Sequence, residues 1–148
     1  MAAITNILVP VDLRVEASLV LEYARLLADQ FGAKLHLITV VPMPVAIEGA
    51  EVDISWYGGH EEELLAEGRK AMDEFVAQKM AGVENVTGTV AIGDVADEIL
   101  DYAKNNGCDL VVIGTHGRKG VARIFFGSVA ESVVRRAHCP VFTLHPFE

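Results

Sequence analysis

Residues 110–129 read LVVIGTHGRKGVARIFFGSV, and the order of residue types in this stretch decides the fold. Its first four residues form an apolar, β-branched run that is typical of a buried parallel strand. Glycines and cations follow, and Ser128 with Glu131 has the Ser-x-x-Glu spacing of a helix capping box. A helix N-terminus favours anions through its dipole and its unpaired amides. The stretch therefore predicts a phosphate-binding loop between a strand and a helix.

The same alternation of strand and helix runs through the rest of the chain. Apolar runs predict strands, and apolar residues at spacings of three and four predict amphipathic helices. The predicted strands are Asn6–Val11, Lys34–Val41, Val86–Ile92, Leu110–Ile113 and Pro140–Leu144, and the predicted helices are Ala17–Phe31, Glu61–Met80, one from Asp94 to Asn105, and Ser128–Ala137. Because each helix carries the chain back for another parallel strand, the pattern predicts an α/β fold with an open parallel sheet.

The crossing from Pro42 to His60 has no sustained periodicity. It contains Trp56 and Tyr57, which either cover a ligand or pack on the flank of the domain. In parallel sheets, ligands bind beyond the carboxyl ends of the strands, where the strand order reverses. If the first and fourth strands are neighbours, Asp12 and Gly114 face the same crevice.

Length, composition and charge argue against several classes of protein. A chain of 148 residues fits a single domain, 1–148, and no run approaches the roughly 18 apolar residues of a membrane span. Residues 1–6 lack the basic region of a signal peptide, so we expect a cytoplasmic protein. The net charge of −9 argues against nucleic acid and anionic membranes as partners. Arg118, Lys119 and Arg123 form a local exception, serving either a polyanionic ligand or a solvated loop.

Cys108 and Cys139 are too few for a disulfide framework and lack metal-ligand spacing. Reduced thiols are expected. Each cysteine lies just before a predicted strand, so the two sulfur atoms approach each other if those strands are neighbours.

The glycine loop contains neither a Walker A motif nor a Gly-x-Gly-x-x-Gly fingerprint. Its spacing is Gly114-x2-Gly117-x9-Gly127-Ser128, and with this motif the chain resembles universal stress proteins of the ATP-binding subclass. The resemblance spans the whole length. Further landmarks are the opening Ile7–Asp12, the Gly93-Asp94 turn, the run 109–114 and the ending His138–Val141.

The resemblance implies a strand order of 3-2-1-4-5 with helices on both faces, and ATP, with or without Mg²⁺, as the ligand. It implies that Asp12 and the backbone around Val40 hold adenine, with Pro10 and Val11 in the same nucleotide-binding set. Ile113 and Gly114 would border the ribose. The phosphates would be held by Gly117, Gly127, Ser128 and Val129, with His116 and Arg118 as further candidates.

Several of these residues have a simpler interpretation. Ser128 can serve as the N-cap of its helix, a role compatible with phosphate binding. Asp12 can cap the turn that follows the first strand, and His116 can face solvent. The residues after Asp12 are Leu13-Arg14-Val15-Glu16, where the family often has a small residue and a serine. Arg14 therefore either reaches a phosphate or crowds the pocket.

The sequence favours nucleotide binding over catalysis. No nucleophile, base and orienting group can be assembled from spacing, so no catalytic residue is predicted. The leading hypothesis is a cytoplasmic, ATP-binding stress or regulatory protein that acts as a nucleotide-dependent switch. By resemblance it would be a homodimer that pairs through the apolar edge strand Pro140 to Leu144. The alternatives are an interaction scaffold whose crevice is empty or binds AMP or cyclic AMP, and a slow ATPase.

Overall fold

The computed structural model describes residues 2–13, 18–42, 60–115 and 124–145. Within them, strands and helices alternate along the chain. The strands are β1 (Asn6–Pro10), β2 (Lys34–Pro42), β3 (Val86–Gly93), β4 (Leu110–Gly114) and β5 (Val141–Leu144). The helices are α1 (Ser18–Phe31), α2 (Glu61–Lys79), α3 (Val95–Asn105) and α4 (Ile124–Arg136). The predicted α/β fold is confirmed.

The strands form one parallel sheet in the order β3-β2-β1-β4-β5. In its centre, Leu8 of β1 is in register with His36 of β2 and Val111 of β4. Val111 is in turn in register with Val141 of β5. The order reverses between β1 and β4, as the resemblance implied, so the carboxyl ends of β1, β2 and β4 lie at one end of the sheet centre.

Helices cover both faces of the sheet. One core holds Ile7, Val9, Leu35 and Leu37 of the strands with buried residues of α1 and α2. The other holds Leu8, Ile38, Val111 and Ile113 with buried residues of α3 and α4. Neighbouring residues of a strand point to opposite faces, so the continuous apolar runs of β1 and β4 supply both cores.

The start of α4 corrects a prediction. The helix begins at Ile124 rather than at Ser128, so Ser128 lies in its second turn and is not the N-cap. The apolar residues that precede Gly127 continue the helix toward its N-terminus, and a glycine inside a helix costs only about 1 kcal/mol relative to alanine. The helix N-terminus therefore lies earlier in the chain than the Ser-x-x-Glu spacing predicted.

Helix α2 packs closely on β3, which is an edge strand of the sheet. A Cβ atom added at Gly88 would lie 2.5 Å from Met72 Cγ, and Met72 is fully buried. A Cβ atom at Gly68 would lie 2.7 Å from Val90 Cγ1. Arg69 Nη1 also donates a hydrogen bond to the Gly88 carbonyl at 3.0 Å. These contacts hold α2 against the sheet.

The two cysteines are free thiols. Cys108 is buried, and Cys139 packs against the same core near the paired starts of β4 and β5. Burial, with the neighbouring Cys139 as a smaller cause, raises the pKa of Cys108 to about 11. Burial also raises the pKa of Cys139. The condition for an approach of the two thiols is met, since β4 and β5 are neighbours. Both thiols are poor nucleophiles near neutral pH because the thiolate is the reactive form.

His36 is a buried polar residue of β2, 6% exposed. Its Nδ1 lies 2.8 Å from the Tyr102 hydroxyl and its Nε2 lies 2.9 Å from Asn6 Oδ1. An amide oxygen can only accept, so Nε2 carries the proton and Nδ1 accepts from the tyrosine. Burial, followed by the charge of Lys34, lowers the pKa of His36 below its ordinary value of 6.5.

We expect the protein to lose stability as the pH falls below 6.5, the value at which His36 titrates in the unfolded chain. The unfolded chain then binds a proton that the folded chain rejects, until the pH reaches the lower folded pKa. Urea unfolding between pH 7.5 and 5 measures this loss. It should disappear in His36→Gln and persist in His138→Gln, because His138 is exposed. Equal slopes in the two variants would contradict the assignment.

Candidate functional site

The carboxyl ends of β1 and β2 form the base of the candidate site. The Val11 amide donates to the Ile38 carbonyl at 2.8 Å, which extends the pairing of the two strands one residue beyond β1. Val11 is buried and Asp12 and Leu13 are half-buried. The backbone therefore carries Asp12 past the end of β1 along β2.

A cavity of about 460 Å³ opens at these strand ends, and we call it the strand-end pocket. Its volume lies within the range of small-molecule sites, roughly 300 to 1,000 Å³. Its walls come from the end of β1, from β2 and from the facing sides of α2 and α3. The described residues that line it are Pro10, Val11, Asp12, Leu13, Ile38, Thr39, Val40, Val41, Pro42, Leu64, Glu67, Gly68, Ala71, Val95 and Ile99.

Four of the sequence-predicted site residues meet in this pocket. Pro10, Val11 and Asp12 line it from β1, and Val40 lines it from β2. They come from the two strands whose carboxyl ends the fold places side by side. Val40 contributes apolar surface to the pocket and Asp12 contributes a carboxylate.

The predicted residues of β4 and α4 lie beside the strand-end pocket and are not among its described lining residues. Ile113 and Gly114 are buried at the end of β4. Val129 packs with Ile113 in the core under α3 and α4, so its side chain is a core residue. Gly127 is half-buried and Ser128 is exposed in the first half of α4.

The remaining candidates lie outside the described residues. They are His116, Gly117 and Arg118, and the same holds for Arg14, Trp56 and Tyr57. The described range that precedes the glycine loop ends at Thr115, whose amide donates to the Leu144 carbonyl at 2.9 Å. The Thr115 hydroxyl lies 2.7 Å from His145 Nδ1. These bonds fix the point from which the glycine loop departs at the end of β4.

Acidic side chains dominate the start of α3, where Val95 and Ile99 line the pocket. Asp94 caps this helix and accepts from the Asp97 amide at 2.9 Å. Glu98 lies against Gly93, and its pKa is raised first by burial and then by the nearby Asp101, Asp97 and Asp94. These carboxylates are not among the described residues that line the pocket, and Asp97 pairs with Arg136 at 2.8 Å.

The wall from α2 was missed by sequence reasoning. Leu64, Glu67, Gly68 and Ala71 recur at spacings of three and four and so share one side of the helix. The signal in the sequence was the pair of small residues, Gly68 and Ala71, on a face of α2 that also carries larger apolar residues. A glycine inside a helical pattern often marks a close approach or a functional surface.

The chemical groups around the strand-end pocket limit what it can bind. Within the described residues, no three His, Cys, Asp or Glu side chains are grouped so as to hold a metal ion. In the described ranges, every helix is too short or too polar to cross a membrane. What the pocket offers is apolar surface, backbone groups at strand ends and two carboxylates.

The chain is similar to known proteins over nearly its whole length. Residues 3–145 match the model of the universal stress protein family. Universal stress protein MJ0531 of Methanocaldococcus jannaschii is 36% identical over 136 residues, which cover 90% of this chain and 75% of that protein. The solved structure of universal stress protein UspA from Lactobacillus plantarum is 31% identical, with a TM-score of 0.71 and coverage of 98% of this chain and 100% of that one.

A further solved structure was determined with a nucleotide bound. It is the universal stress protein from Archaeoglobus fulgidus in complex with dAMP, with 22% identity and a TM-score of 0.62. The alignment covers 97% of this chain and 98% of that one. At this identity the likeness concerns the fold. The family match and the two closer likenesses, together with the sheet order, show that the chain belongs to the universal stress protein family.

Proposed function

We propose that this chain, as one domain of residues 1–148, binds an adenine nucleotide and that ATP is its ligand. The observation that carries the proposal is the strand-end pocket, which has Asp12 and Val40 in its walls at the carboxyl end of the sheet. Ligands of open α/β sheets bind at this end, near the reversal of strand order. The dAMP complex of the relative from Archaeoglobus fulgidus supports an adenine compound in this fold.

The charges of the pocket support one orientation of the nucleotide. The base enters the strand-end pocket, where the walls are largely apolar. The ribose passes the end of β4 at Ile113 and Gly114, and the phosphates extend toward the loop that begins after Thr115. That loop carries Gly117 and Arg118, with Gly127 and Ser128 beyond it. Glycines allow backbone amides to approach phosphate oxygens, and arginine pairs with them strongly.

The proposal extends to what the nucleotide does. We infer a nucleotide-dependent switch in a cytoplasmic stress response, with binding rather than turnover as its basis. The residues that the structure describes supply acceptors and apolar walls, and phosphoryl transfer needs cations and a metal at the reacting phosphate. A scaffold that binds AMP or cyclic AMP is the second candidate, because the dAMP complex holds a monophosphate.

A thermal-shift titration with ATP and Mg²⁺ tests nucleotide binding. Ligand at 100 times its Kd adds about 2.7 kcal/mol, which raises the Tm by roughly 5 to 10 °C in a domain of this size. Asp12→Ala should reduce the shift, whereas Asp73→Ala on the exposed surface of α2 should retain it. An unchanged Tm at millimolar ATP would overturn the proposal. Parallel titrations with AMP and cyclic AMP rank the ligands, and phosphate release from the ATP samples measures hydrolysis.

We also propose a homodimer that pairs through the last strand, Pro140 to Leu144. Phe142 and Thr143 of β5 are exposed at the edge of the sheet, where backbone groups can pair with another strand. Tyr23 of α1 extends this apolar surface, since its ring centroid lies 5.9 Å from that of Phe142 and the two residues are 40% and 36% exposed. Light scattering at tens of micromolar should give twice the chain mass of 16.0 kDa, and a monomer would contradict the dimer.

A further inference from the structure

The beginning of the glycine loop is bonded to the end of the edge strand β5. In the sheet, Gly114 of β4 is in register with Leu144 of β5. The Thr115 amide donates to the Leu144 carbonyl at 2.9 Å, which continues the pairing of the two strands one residue beyond β4. The backbone is therefore fixed to the sheet up to the residue that precedes the loop.

The Thr115 side chain makes a second bond at the same place. Its hydroxyl oxygen lies 2.7 Å from His145 Nδ1 and 3.4 Å from the Leu144 carbonyl oxygen. The first distance is that of a strong hydrogen bond and the second is long, so the imidazole is the better partner of the two. Thr115 is half-buried and His145 is exposed. A residue that is held through both its amide and its side chain has fewer accessible conformations than one held through its amide alone.

The orientation of Thr115 matters for a nucleotide because of the residues around it. Ile113 and Gly114, which precede it, are buried at the end of β4, and the proposed ribose passes them. Glycines stand at positions 114, 117 and 120, and glycine loses more conformational freedom than any other residue when a segment becomes ordered. A fixed start reduces the freedom that phosphate binding has to remove, and preorganisation of this kind increases affinity.

His145 is placed to fix this start. It follows β5 directly and is not among the described residues that line the strand-end pocket. The described contact that connects it to the proposed path of the phosphates is the one with Thr115. We propose that His145 is a positioning residue, which holds the start of the glycine loop in its phosphate-binding orientation through the Thr115 hydroxyl. This inference rests on the proposed nucleotide function and assigns to it a residue outside the glycine motif.

The test compares variants that keep or remove the bonding atoms, by isothermal titration with ATP and Mg²⁺. Thr115→Val and His145→Gln should each weaken ATP binding roughly three- to tenfold, as expected for the loss of one hydrogen bond. Thr115→Ser keeps the hydroxyl. His145→Asn keeps a polar atom at the position of Nδ1, whereas the amide of glutamine lies one carbon further from the backbone. Both conservative variants should bind ATP within about twofold of the wild-type affinity, because each retains a hydrogen-bonding partner.

The double variant and a matched control show whether the two residues act together. Thr115→Val combined with His145→Gln should bind ATP no more weakly than the weaker single variant, because both changes remove the same bond. His138→Gln makes the same substitution at an exposed position before the opposite end of β5 and should keep the wild-type affinity. Thermal unfolding without ATP verifies that every variant is folded.

The outcomes separate this inference from the proposed function. Wild-type affinity in both Thr115→Val and His145→Gln would overturn the role of His145 and leave nucleotide binding intact. Losses that add in the double variant would also overturn it, since the two residues would then act independently. Equal losses in His145→Asn and His145→Gln would contradict the contact through Nδ1 and overturn the proposal. Absence of ATP binding to the wild-type protein would overturn both this inference and the proposed function.

Discussion

Replacing Ala71 by tryptophan is expected to abolish nucleotide binding while the fold remains intact. Ala71 lines the strand-end pocket from α2. An indole and a purine are both fused five- and six-membered rings, so a tryptophan side chain directed into the pocket takes the volume that the base requires. A loss of roughly a hundredfold in affinity, equivalent to about 2.7 kcal/mol, is the minimum expected effect.

Ala66→Trp is the matched control. Ala66 lies on the same helix but is exposed and does not line the pocket. Isothermal titration with ATP measures both variants, and circular dichroism with thermal unfolding verifies that both are folded. Wild-type affinity in a folded Ala71→Trp protein would show that the base binds elsewhere. Equal losses in the two variants would point to a general effect of tryptophan on α2.

Gly88→Val is expected to cause the largest loss of stability. An added Cβ atom would lie 2.5 Å from Met72 Cγ and 2.9 Å from its Sδ, and 3.3 Å from Val76 Cγ2. Met72 is fully buried, so its side chain has little space to move. Overpacking of this kind costs about 1 to 3 kcal/mol, which lowers the Tm by roughly 3 to 10 °C in a domain of this size. Thermal or urea unfolding measures the loss.

Thr87→Val provides the opposite expectation one residue away on the same strand. Among the described residues, the buried Thr87 hydroxyl has no hydrogen-bond partner. Valine has the same shape without the polar atom, so stability should stay constant or rise.

Adding Met72→Ala to Gly88→Val should make the double variant less unstable than the sum of the single losses. Additive losses would contradict a direct clash between the two positions.

The architecture was predictable because its signals are local and mutually consistent. The apolar runs at residues 6–11 and 110–113 can be buried on both faces only in a covered parallel sheet. The spacing in residues 17–31 fits one helix face, and the observed α1 begins within one residue of the prediction. Strand order could not be predicted from these local patterns, because periodicity carries no information about which strands are neighbours. It came from the resemblance to a family and is confirmed by the sheet.

The start of α4 was not predictable from capping chemistry alone. Ser128 and Glu131 have the spacing of a capping box, but Ile124 already lies in the helix. Two local signals compete here. The capping pattern and Gly127 favour a late start, whereas the apolar residues from 124 to 126 favour an extension toward the N-terminus. The gain from extending the helix outweighs the modest cost of an internal glycine.

The candidate site was predictable in part for a similar reason. Asp12 and Val40 follow or end strands, so topology alone brings them to one end of the sheet. Glu67 and Ala71 are separated from Asp12 by more than fifty residues of sequence. The small residues Gly68 and Ala71 mark their side of α2, but the sequence does not show which element packs there, since the closeness of α2 to β3 depends on the packing of Gly68 and Gly88. Contacts of this kind depend on three-dimensional packing and are absent from local patterns.

The guanidinium of Arg69 along β3 makes the two borders of the sheet unequal. It donates to the Gly88 carbonyl and places a positive charge where another chain would have to add a strand. The opposite border, β5, presents the exposed Phe142 and Thr143. A subunit with two edge strands open to pairing can add further copies without limit. Assembly of subunits with one open edge strand stops at the dimer. By this argument, Arg69 disfavours the addition of a strand at β3 and leaves β5 as the border for the proposed dimer.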